Sequence, residues 1–238
     1  MQEKFCISLS SIPSRLQSIK EVVNSLNQQT IKPKKIFLNI PFSYKRFPEI
    51  KNINLDILKD IKDDNFQVIR CEDYGPGTKL LGSISLFKNF DYVILVDDDH
   101  CYHPRMCEIF NKYFNLDNEK AYSFFSVKIY DLVMGQGADG FLINSNHLEG
   151  ILDFYNKYVK NYKYCFLNDD FWISLFLKKF KNKQVCSLED VVMKEINEKY
   201  IYKKINYEQP LHKIYNSIFT RRNYAKYDYL RILFQKFF

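Results

Sequence analysis

Three consecutive carboxylates follow a short apolar run near the middle of the chain: Asp97, Asp98 and Asp99 come directly after residues 92–96. The run has no helical period, so it predicts a strand buried on both faces of an α/β sheet. Ligands of such sheets bind beyond the carboxyl ends of the strands, where these acids emerge. Carboxylates about 4 Å apart repel by roughly 4 kcal/mol in a protein cleft, and protonation or a divalent cation relieves that repulsion. The run therefore predicts a cation site, with a solvated acidic turn that caps the next helix as the alternative.

A second informative segment, residues 72–79, follows the apolar run at 66–71 and has the sequence EDYGPGTK. Its two glycines allow a ligand to approach the backbone closely. Thr78 can cap the helix that follows, whereas a lysine in the first helical turn opposes the helix dipole unless an anion binds there. The segment therefore predicts an anion site with Lys79 as its partner; the alternative is a Gly-Pro turn with an exposed lysine.

Two more acids, Asp169 and Asp170, begin a third segment, which has the pattern of a helix. Capping alone explains acids at a helix start, but an acid that also faces a cleft can act as a general base. Trp172, the single tryptophan, suits either stacking on a sugar or filling the core. The glycine-rich turn at 135–140 predicts a place for a sugar ring, with Asp139 bonding its hydroxyls, or else a plain hairpin turn.

Alternating strands and helices position these residues. Apolar runs predict strands at 5–10, 35–41, 66–71, 92–96 and 121–128, with a short helix near 55–61. A Ser/Pro turn after the first strand leads into an amphipathic helix, so the chain opens with a βα unit. This unit leaves Ser8, Ser10 and Arg15 at the carboxyl end of the strand. Arg15 there suits holding a phosphate or stacking on a base, and the alternative is an ordinary surface arginine.

The composition is that of a soluble globular protein, with 238 residues, 46% of them hydrophobic and 26% charged. This length suits one large domain, or a domain with a small extension. The first residues lack the apolar core of a secretory signal, and no apolar run approaches the roughly 20 residues that span a bilayer. The six cysteines form no Cys-x-x-Cys pair and predict reduced thiols in a cytosolic-type compartment.

The net charge of +7 is concentrated in residues 191–238, which hold ten Lys and Arg against four Asp and Glu, a balance of +6. The rest of the chain is nearly neutral, which argues against a nucleic-acid partner. A basic tail rich in Tyr and Phe fits an anionic membrane surface, with an apolar stripe formed by Tyr227, Leu230, Phe234 and Phe237. We therefore expect a cytoplasmic protein peripheral to the inner face of a membrane; the alternative is a solvated face on a packed helix.

Taken together, these segments resemble the nucleotide-sugar glycosyltransferases of the GT-A fold, in particular small bacterial and giant-virus enzymes that decorate surface glycans. The resemblance covers about residues 5–187 and rests on the Ser-x-Pro-x-Arg turn (11–15), the Asp-x-Gly-Pro-x-Thr-Lys segment (73–79), the Asp-x-Asp motif (97–99), the glycine turn (135–140) and Asp-Asp-x-Trp (169–172). It implies an α/β fold with a single GT-A-like (Rossmann-like) domain over 1–190. A mixed central sheet flanked by helices would form this domain, and a basic, aromatic, helical C-terminal extension would follow over 191–238.

The resemblance also implies an activity: metal-dependent, inverting transfer of a sugar from a nucleotide-diphosphate donor, with UDP as the family-level expectation, to a hydroxyl of a glycan or lipid-linked acceptor. Mn²⁺ or Mg²⁺ would be held by Asp97 and Asp99 with His212 from the C-terminal region, whereas His100 is expected to pack among aromatic residues or contact solvent. Asp170 would be the catalytic base, with Asp169 as its rival. The other candidate positions would bind the nucleotide sugar (Ser8, Ser10, Arg15, Asp73, Lys79, Asp97, Asp98) or, from the glycine turn and the tryptophan, the acceptor (Asp139, Gly140, Trp172).

Two other functions fit the same residues. A sugar-phosphate nucleotidyltransferase would show a glycine-rich loop with Lys or Arg after the first strand, but residues 10–15 contain no glycine. A non-catalytic glycan-binding module has little need of three adjacent acids, which disfavours that alternative.

Overall fold

A seven-stranded mixed sheet forms the centre of the molecule. The computed structural model describes residues 4–50, 52–61, 63–205 and 218–237. The sheet contains, in chain order, β1 (Phe5–Ser10), β2 (Lys35–Pro41), β3 (Phe66–Cys71), β4 (Tyr92–Leu95), β6 (Ala121–Ser123), β9 (Phe141–Asn144) and β10 (Val185–Ser187). Their spatial order is β10-β6-β9-β4-β1-β2-β3, and β9 runs antiparallel to both of its neighbours while the other pairs are parallel. This arrangement confirms the predicted α/β fold with a mixed central sheet.

Two antiparallel pairs lie outside the central sheet. β5 (His100–Tyr102) pairs with β11 (Tyr202–Lys204), and β7 (Ser126–Ile129) pairs with β8 (Leu132–Gly135). The single strand predicted over 121–128 is therefore wrong, since the chain leaves the central sheet after Ser123. The Ser123 hydroxyl donates to the carbonyl of Phe125 and accepts from the backbone N–H of Gln136. At this point, side-chain hydrogen bonds therefore take the place of the backbone hydrogen bonds between strands.

Helices cover both faces of the sheet. They are α1 (Ile19–Asn27), α2 (Thr78–Leu81), α3 (Met106–Leu116), α4 (Ile151–Tyr158), α5 (Lys163–Phe166), α6 (Asp169–Phe180), α7 (Glu189–Val191) and α8 (Ile218–Phe237), with short 3₁₀ turns between several of them. α1 and α3 pack on one face, against side chains such as Ile7 and Ile94. α2, α4, α6 and α8 pack on the other face, against side chains such as Cys6 and Val93. Alternate residues of β1 and β4 thus enter different cores, which explains their continuous apolar sequences.

The strand order creates a switch point between β1 and β4. From β1 the chain adds β2 and then β3 on one side, and it places β4 on the other side. Ligands of open α/β sheets bind at such a point, in the crevice outside the carboxyl ends of the strands. Ser10 ends β1, and the three acids follow β4, so the fold brings both predicted segments to this crevice.

The basic C-terminal segment packs on the body of the protein in two places. β11 extends β5, and α8 buries Ala225, Tyr229 and Ile232 in the core that α6 also joins. His212 and the side chain of Phe237 lie outside the described residues. Among the residues described, no helix is both long enough and apolar enough to cross a bilayer.

Candidate active site

A cleft of about 320 Å³ opens at the switch point, within the range of roughly 300–1,000 Å³ typical of small-molecule sites. It brings together the three segments that the sequence singled out, residues 72–79, 97–99 and 169–172, although these lie far apart along the chain. The side chains that decide its chemistry are Ser10, Arg15, Tyr44, Arg46, Asp73, Lys79, Asp97, Asp98, Asp99, His100, Asp169, Asp170 and Lys204. So many carboxylates in one cleft require compensating positive charges, and the lining residues Arg15, Arg46, Lys79 and Lys204 supply them.

The middle acid, Asp98, is engaged by protein groups through both of its carboxylate oxygens. Its Oδ1 lies 2.7 Å from Arg15 Nη1, and its Oδ2 accepts a 2.6 Å hydrogen bond from Ser11 Oγ. Burial raises the pKa of Asp98 although the Arg15 charge opposes the effect. Arg15 also lies 3.3 Å from Asp99, so this arginine ties the end of β4 to the turn after β1.

We expect Asp98→Asn to destabilise the protein by about 3 kcal/mol, because the buried Arg15 charge loses its nearer carboxylate partner and keeps only Asp99. Urea unfolding followed by tryptophan fluorescence measures the change. Asp56→Asn is the matched control, since Asp56 forms its ion pair with Lys59 on the exposed surface, and it should change stability little. Equal unfolding midpoints for Asp98→Asn and wild type would contradict the prediction.

The outer two acids, Asp97 and Asp99, form a cluster with His100. One ligand atom from each of the three side chains lies within 4.8 Å of the others. His100 Nδ1 is buried and lies 2.7 Å from Asp99 Oδ1, an ion-pair distance but without good hydrogen-bond geometry. Two carboxylates and an imidazole are a donor set that Mn²⁺ accepts, and a shared cation resolves the unsatisfied imidazole nitrogen. The residues present therefore fit a divalent metal.

His100 was expected to pack among aromatic residues or to contact solvent. The structure does bury it against Tyr102 and Tyr202, and it also places the imidazole beside Asp99. β5 begins at His100, and pairing with β11 fixes the orientation of the ring, which lies edge-on to Tyr202 at 4.0 Å between centroids. The signal available in the sequence was its position immediately after the acid run. The expected metal ligand His212 lies outside the described residues, so that expectation stays a prediction.

Lys79 links the acids after β4 to those at the start of α6. Its Nζ lies 2.6 Å from Asp97 Oδ1 and 3.0 Å from Asp169 Oδ2, and the residue is 4% exposed. Burial opposes the lysine charge, but these carboxylates together with Asp170 raise its pKa well above the ordinary value. A Cβ at Gly137 would lie 2.4 Å from Lys79 Nζ. The glycine turn therefore makes room for this ammonium group.

Asp170 presents a partly buried carboxyl group to the same cleft. Its Oδ1 accepts a 2.8 Å hydrogen bond from the backbone N–H of Gly137. Burial and the neighbouring Asp169 raise the pKa of Asp170 to about 8, while Lys79 opposes the shift. A carboxyl group whose pKa lies near the working pH is suited to general acid–base chemistry, whereas Asp169 is held by Lys79.

Two further predicted nucleotide-binding residues line the cleft, and a third lies behind it. Ser10 is at the cleft surface, as is Asp73, whose carboxylate accepts hydrogen bonds from the backbone N–H groups of Lys45 and Gly75. Ser8 is fully buried and donates to the carbonyl of Lys79 at 2.6 Å. The Ser8 hydroxyl thus links β1 to the backbone of the predicted anion-site segment, residues 72–79.

The three residues expected to bind the acceptor are not among those that line this cleft in the described structure. Trp172 is fully buried, packs against Tyr155 and lies so close to Gly77 that a Cβ there would be 2.4 Å from the indole. Core filling is therefore the role the structure gives it. Asp139 is also buried, which raises its pKa to about 7, and Gly140 has a φ of +91° that favours glycine.

Arg46 is a cleft residue that the sequence did not single out. Its Nε is buried without a hydrogen-bond partner in the part of the chain that the structure describes. Burial lowers the pKa of Arg46 although Asp73 and Asp169 favour its charge. Residues 42–64 have no clear periodicity, so the usable signal was a cation shortly after the carboxyl end of β2.

The fold is similar to that of solved proteins that bind nucleotide sugars. A mannosyltransferase from Pyrobaculum calidifontis in complex with GDP-Man and Mn²⁺ matches 80% of this chain with a TM-score of 0.57 and 11% identity. S. aureus TarS (residues 1–349) in complex with UDP-GlcNAc matches 87% with a TM-score of 0.56 and 14% identity. This chain spans 56% and 60% of the length of those two chains. The likeness confirms the predicted GT-A-like fold; no family model and no curated protein sequence matches the chain.

Proposed function

We propose that this protein is a nucleotide-sugar glycosyltransferase that transfers a sugar to a hydroxyl group of a glycan or lipid-linked acceptor. One observation carries the proposal: a carboxyl group with a raised pKa, Asp170, shares the switch-point cleft with the Asp97–Asp99–His100 cluster. The first supplies a base and the second a cation site, which are the two parts that displacement of a nucleoside diphosphate requires. The nucleotide sugars bound by proteins of the same fold support this choice of donor.

Asp97, Asp99 and His100 would hold the divalent metal, Mn²⁺ or Mg²⁺, with His212 as a further expected ligand. When bound, the metal neutralises the diphosphate and so stabilises the charge that the leaving group acquires. Arg15 and Lys79 fix the acids around this position through their ion pairs. The protein thereby holds the metal-binding oxygens in place before the donor arrives.

Asp170 would accept the proton of the acceptor hydroxyl as that oxygen attacks the anomeric carbon. The bond from the sugar to the diphosphate breaks on the opposite side, which inverts the configuration at the anomeric carbon. Lys79 has a positioning role, since it holds Asp169 and Asp97 on either side of its ammonium group. Uracil is the proposed base of the donor nucleotide, and a hexose is the proposed sugar.

Arg46 would bind an anionic part of the donor. Arg46→Ala should therefore weaken donor binding about 10- to 100-fold, because a hydrogen bond to a charged group contributes about 1.5–3 kcal/mol. Isothermal titration with UDP and Mn²⁺ measures the affinity. The melting temperature should stay unchanged or rise, because the substitution removes a buried charge with an unpartnered Nε. Arg70→Ala is the matched control, since Arg70 lies on β3 and donates to the carbonyl of Pro41. Equal affinities for both variants would remove Arg46 from the donor site.

A thermal-shift screen tests the proposed function. The full chain is heated with UDP, GDP and their sugars, each with and without Mn²⁺, and then assayed for nucleotide release with added glycans. A shift with a nucleotide sugar that requires metal supports the proposal. A shift that requires a nucleoside triphosphate with a sugar phosphate identifies a nucleotidyltransferase instead, and a shift with glycan alone identifies a binding module.

A further inference from the structure

The last helix, α8, has an exposed apolar stripe that its packing does not use. Tyr227, Leu230 and Phe234 are 67%, 43% and 63% exposed, and their spacing of three and four residues places them on one side of the helix. The opposite side, with Tyr229 and Ile232, is buried in the core. The fold of α8 therefore does not explain why large apolar side chains face outward.

Basic residues flank this stripe. Between Ile218 and Phe237 the chain has five Lys and Arg and a single acid, Asp228. Asp228 is 5% exposed and pairs with Arg231, so it does not offset the charge of the outer surface. Arg222 and Lys226 are exposed beside the stripe. An anionic surface is complementary to this face, whereas a second copy of the chain would bring like charges together.

Tyrosines extend the same surface toward α5. A groove beside the stripe is lined by tyrosines, together with Lys163 and the Asp228 carboxylate that pairs with Arg231. The tyrosines are Tyr162, Tyr164, Tyr224 and Tyr227. Tyrosine has an apolar ring with a polar tip, and such side chains are favoured at the level of lipid headgroups. The groove and the stripe together thus combine apolar, amphipathic and basic side chains on one side of the molecule.

We propose that the outer face of α8, formed by Tyr227, Leu230 and Phe234 with Arg222 and Lys226, binds the surface of an anionic lipid bilayer. The apolar side chains would enter the headgroup boundary, and the basic side chains would contact lipid phosphates. Arg221, in the first described turns of the same helix, lines the cleft. Thirteen residues of helix, about 20 Å, separate it from Phe234, so binding would hold the cleft near the bilayer. The proposal does not depend on the sugar-transfer reaction.

Vesicle flotation of the full chain tests the proposal. The vesicles are phosphatidylcholine alone, or phosphatidylcholine with about one third phosphatidylglycerol. We expect the wild type to float with anionic vesicles and to be released between roughly 0.1 and 1 M salt. The triple variant Y227S/L230S/F234S should lower the bound fraction at least about tenfold, and R222E/K226E should lower it on anionic vesicles. L116S/M193S is the matched control, because Leu116 and Met193 are exposed elsewhere on the molecule.

Circular dichroism melting of each variant verifies that it is folded before it is compared. Three results would overturn the proposal: no flotation of the wild type with anionic vesicles, equal flotation of the triple variant, or equal losses in the triple variant and the matched control. If the wild type fails to float and sizes as a dimer that Y227S/L230S/F234S converts to a monomer, the face is an interface between two copies. Donor binding is measured separately with UDP, so failure here leaves the proposed reaction standing.

Discussion

Replacing Asp170 by asparagine is expected to lower the turnover number kcat about 10²- to 10⁴-fold, the usual contribution of a general base. Asparagine keeps the shape of the side chain and can still accept the hydrogen bond from Gly137. It cannot take the proton of the acceptor hydroxyl. The dissociation constant for the donor should therefore stay within about twofold of the wild-type value, because the base acts only as the acceptor is deprotonated. Initial rates at saturating donor and isothermal titration measure the two quantities.

Two aspartates serve as controls for this substitution. Asp139 is a buried carboxyl group with a raised pKa outside the cleft, so Asp139→Asn should change kcat little. Asp169→Asn removes a partner of Lys79 and tests the rival assignment. Normal turnover by Asp170→Asn would refute its role as base. If Asp169→Asn alone lost the rate while remaining folded, the role would pass to Asp169.

The pH dependence of the wild type should carry the signature of the same group. Asp169 faces Asp170 with like charge and Lys79 with opposite charge, and burial with Asp169 raises the pKa of Asp170 to about 8. A base must be deprotonated, so kcat/KM should rise with pH, level off above this pKa and fall below it. A profile without an acid limb in this region would contradict the assignment.

The sequence predicted this part of the sheet well because the central strands β1 and β4 are apolar on both faces. β1, β2 and the edge strand β3 have the predicted bounds, and the acids after β4 do lie at the carboxyl edge of the sheet. The rule that ligands bind at the switch point then located the cleft. These features follow from local sequence and a general property of the fold.

The details that the sequence missed depend on long-range pairing. His100 directly follows Asp99, but the position of its ring depends on the pairing of β5 with β11, about 100 residues further along the chain. Lys79 is buried between acids from two different elements, a position that a rule based on the helix dipole does not reveal. Trp172 fills the core because Gly77 lets the indole approach the backbone. In each case the partner, and not the residue itself, decides the role.

Asp99→Asn is expected to weaken Mn²⁺ binding at least about 100-fold, since even residues behind the direct ligands contribute 10- to 100-fold to metal affinity. The substitution removes a negative oxygen from the Asp97–Asp99–His100 cluster and leaves the size of the side chain unchanged. Affinity for UDP in the presence of Mn²⁺ should fall with it, and affinity for UDP without metal should not. Electron paramagnetic resonance of free Mn²⁺ measures the affinity for the metal. Calorimetry measures the affinity for UDP, with and without Mn²⁺.

Asp98→Asn distinguishes a direct ligand from a nearby charge. This substitution makes the same change in charge as Asp99→Asn, one residue away. In the wild type, however, one Asp98 oxygen pairs with Arg15 and the other accepts a hydrogen bond from Ser11. We therefore expect Asp98→Asn to lower stability and to leave Mn²⁺ affinity within about threefold, whereas Asp99→Asn should lower Mn²⁺ affinity with less effect on stability. Equal losses of affinity in both variants would mean that the acids act only through their summed charge. Unchanged Mn²⁺ binding by Asp99→Asn would place the metal elsewhere, and the electrostatic basis of the proposed reaction would fail with it.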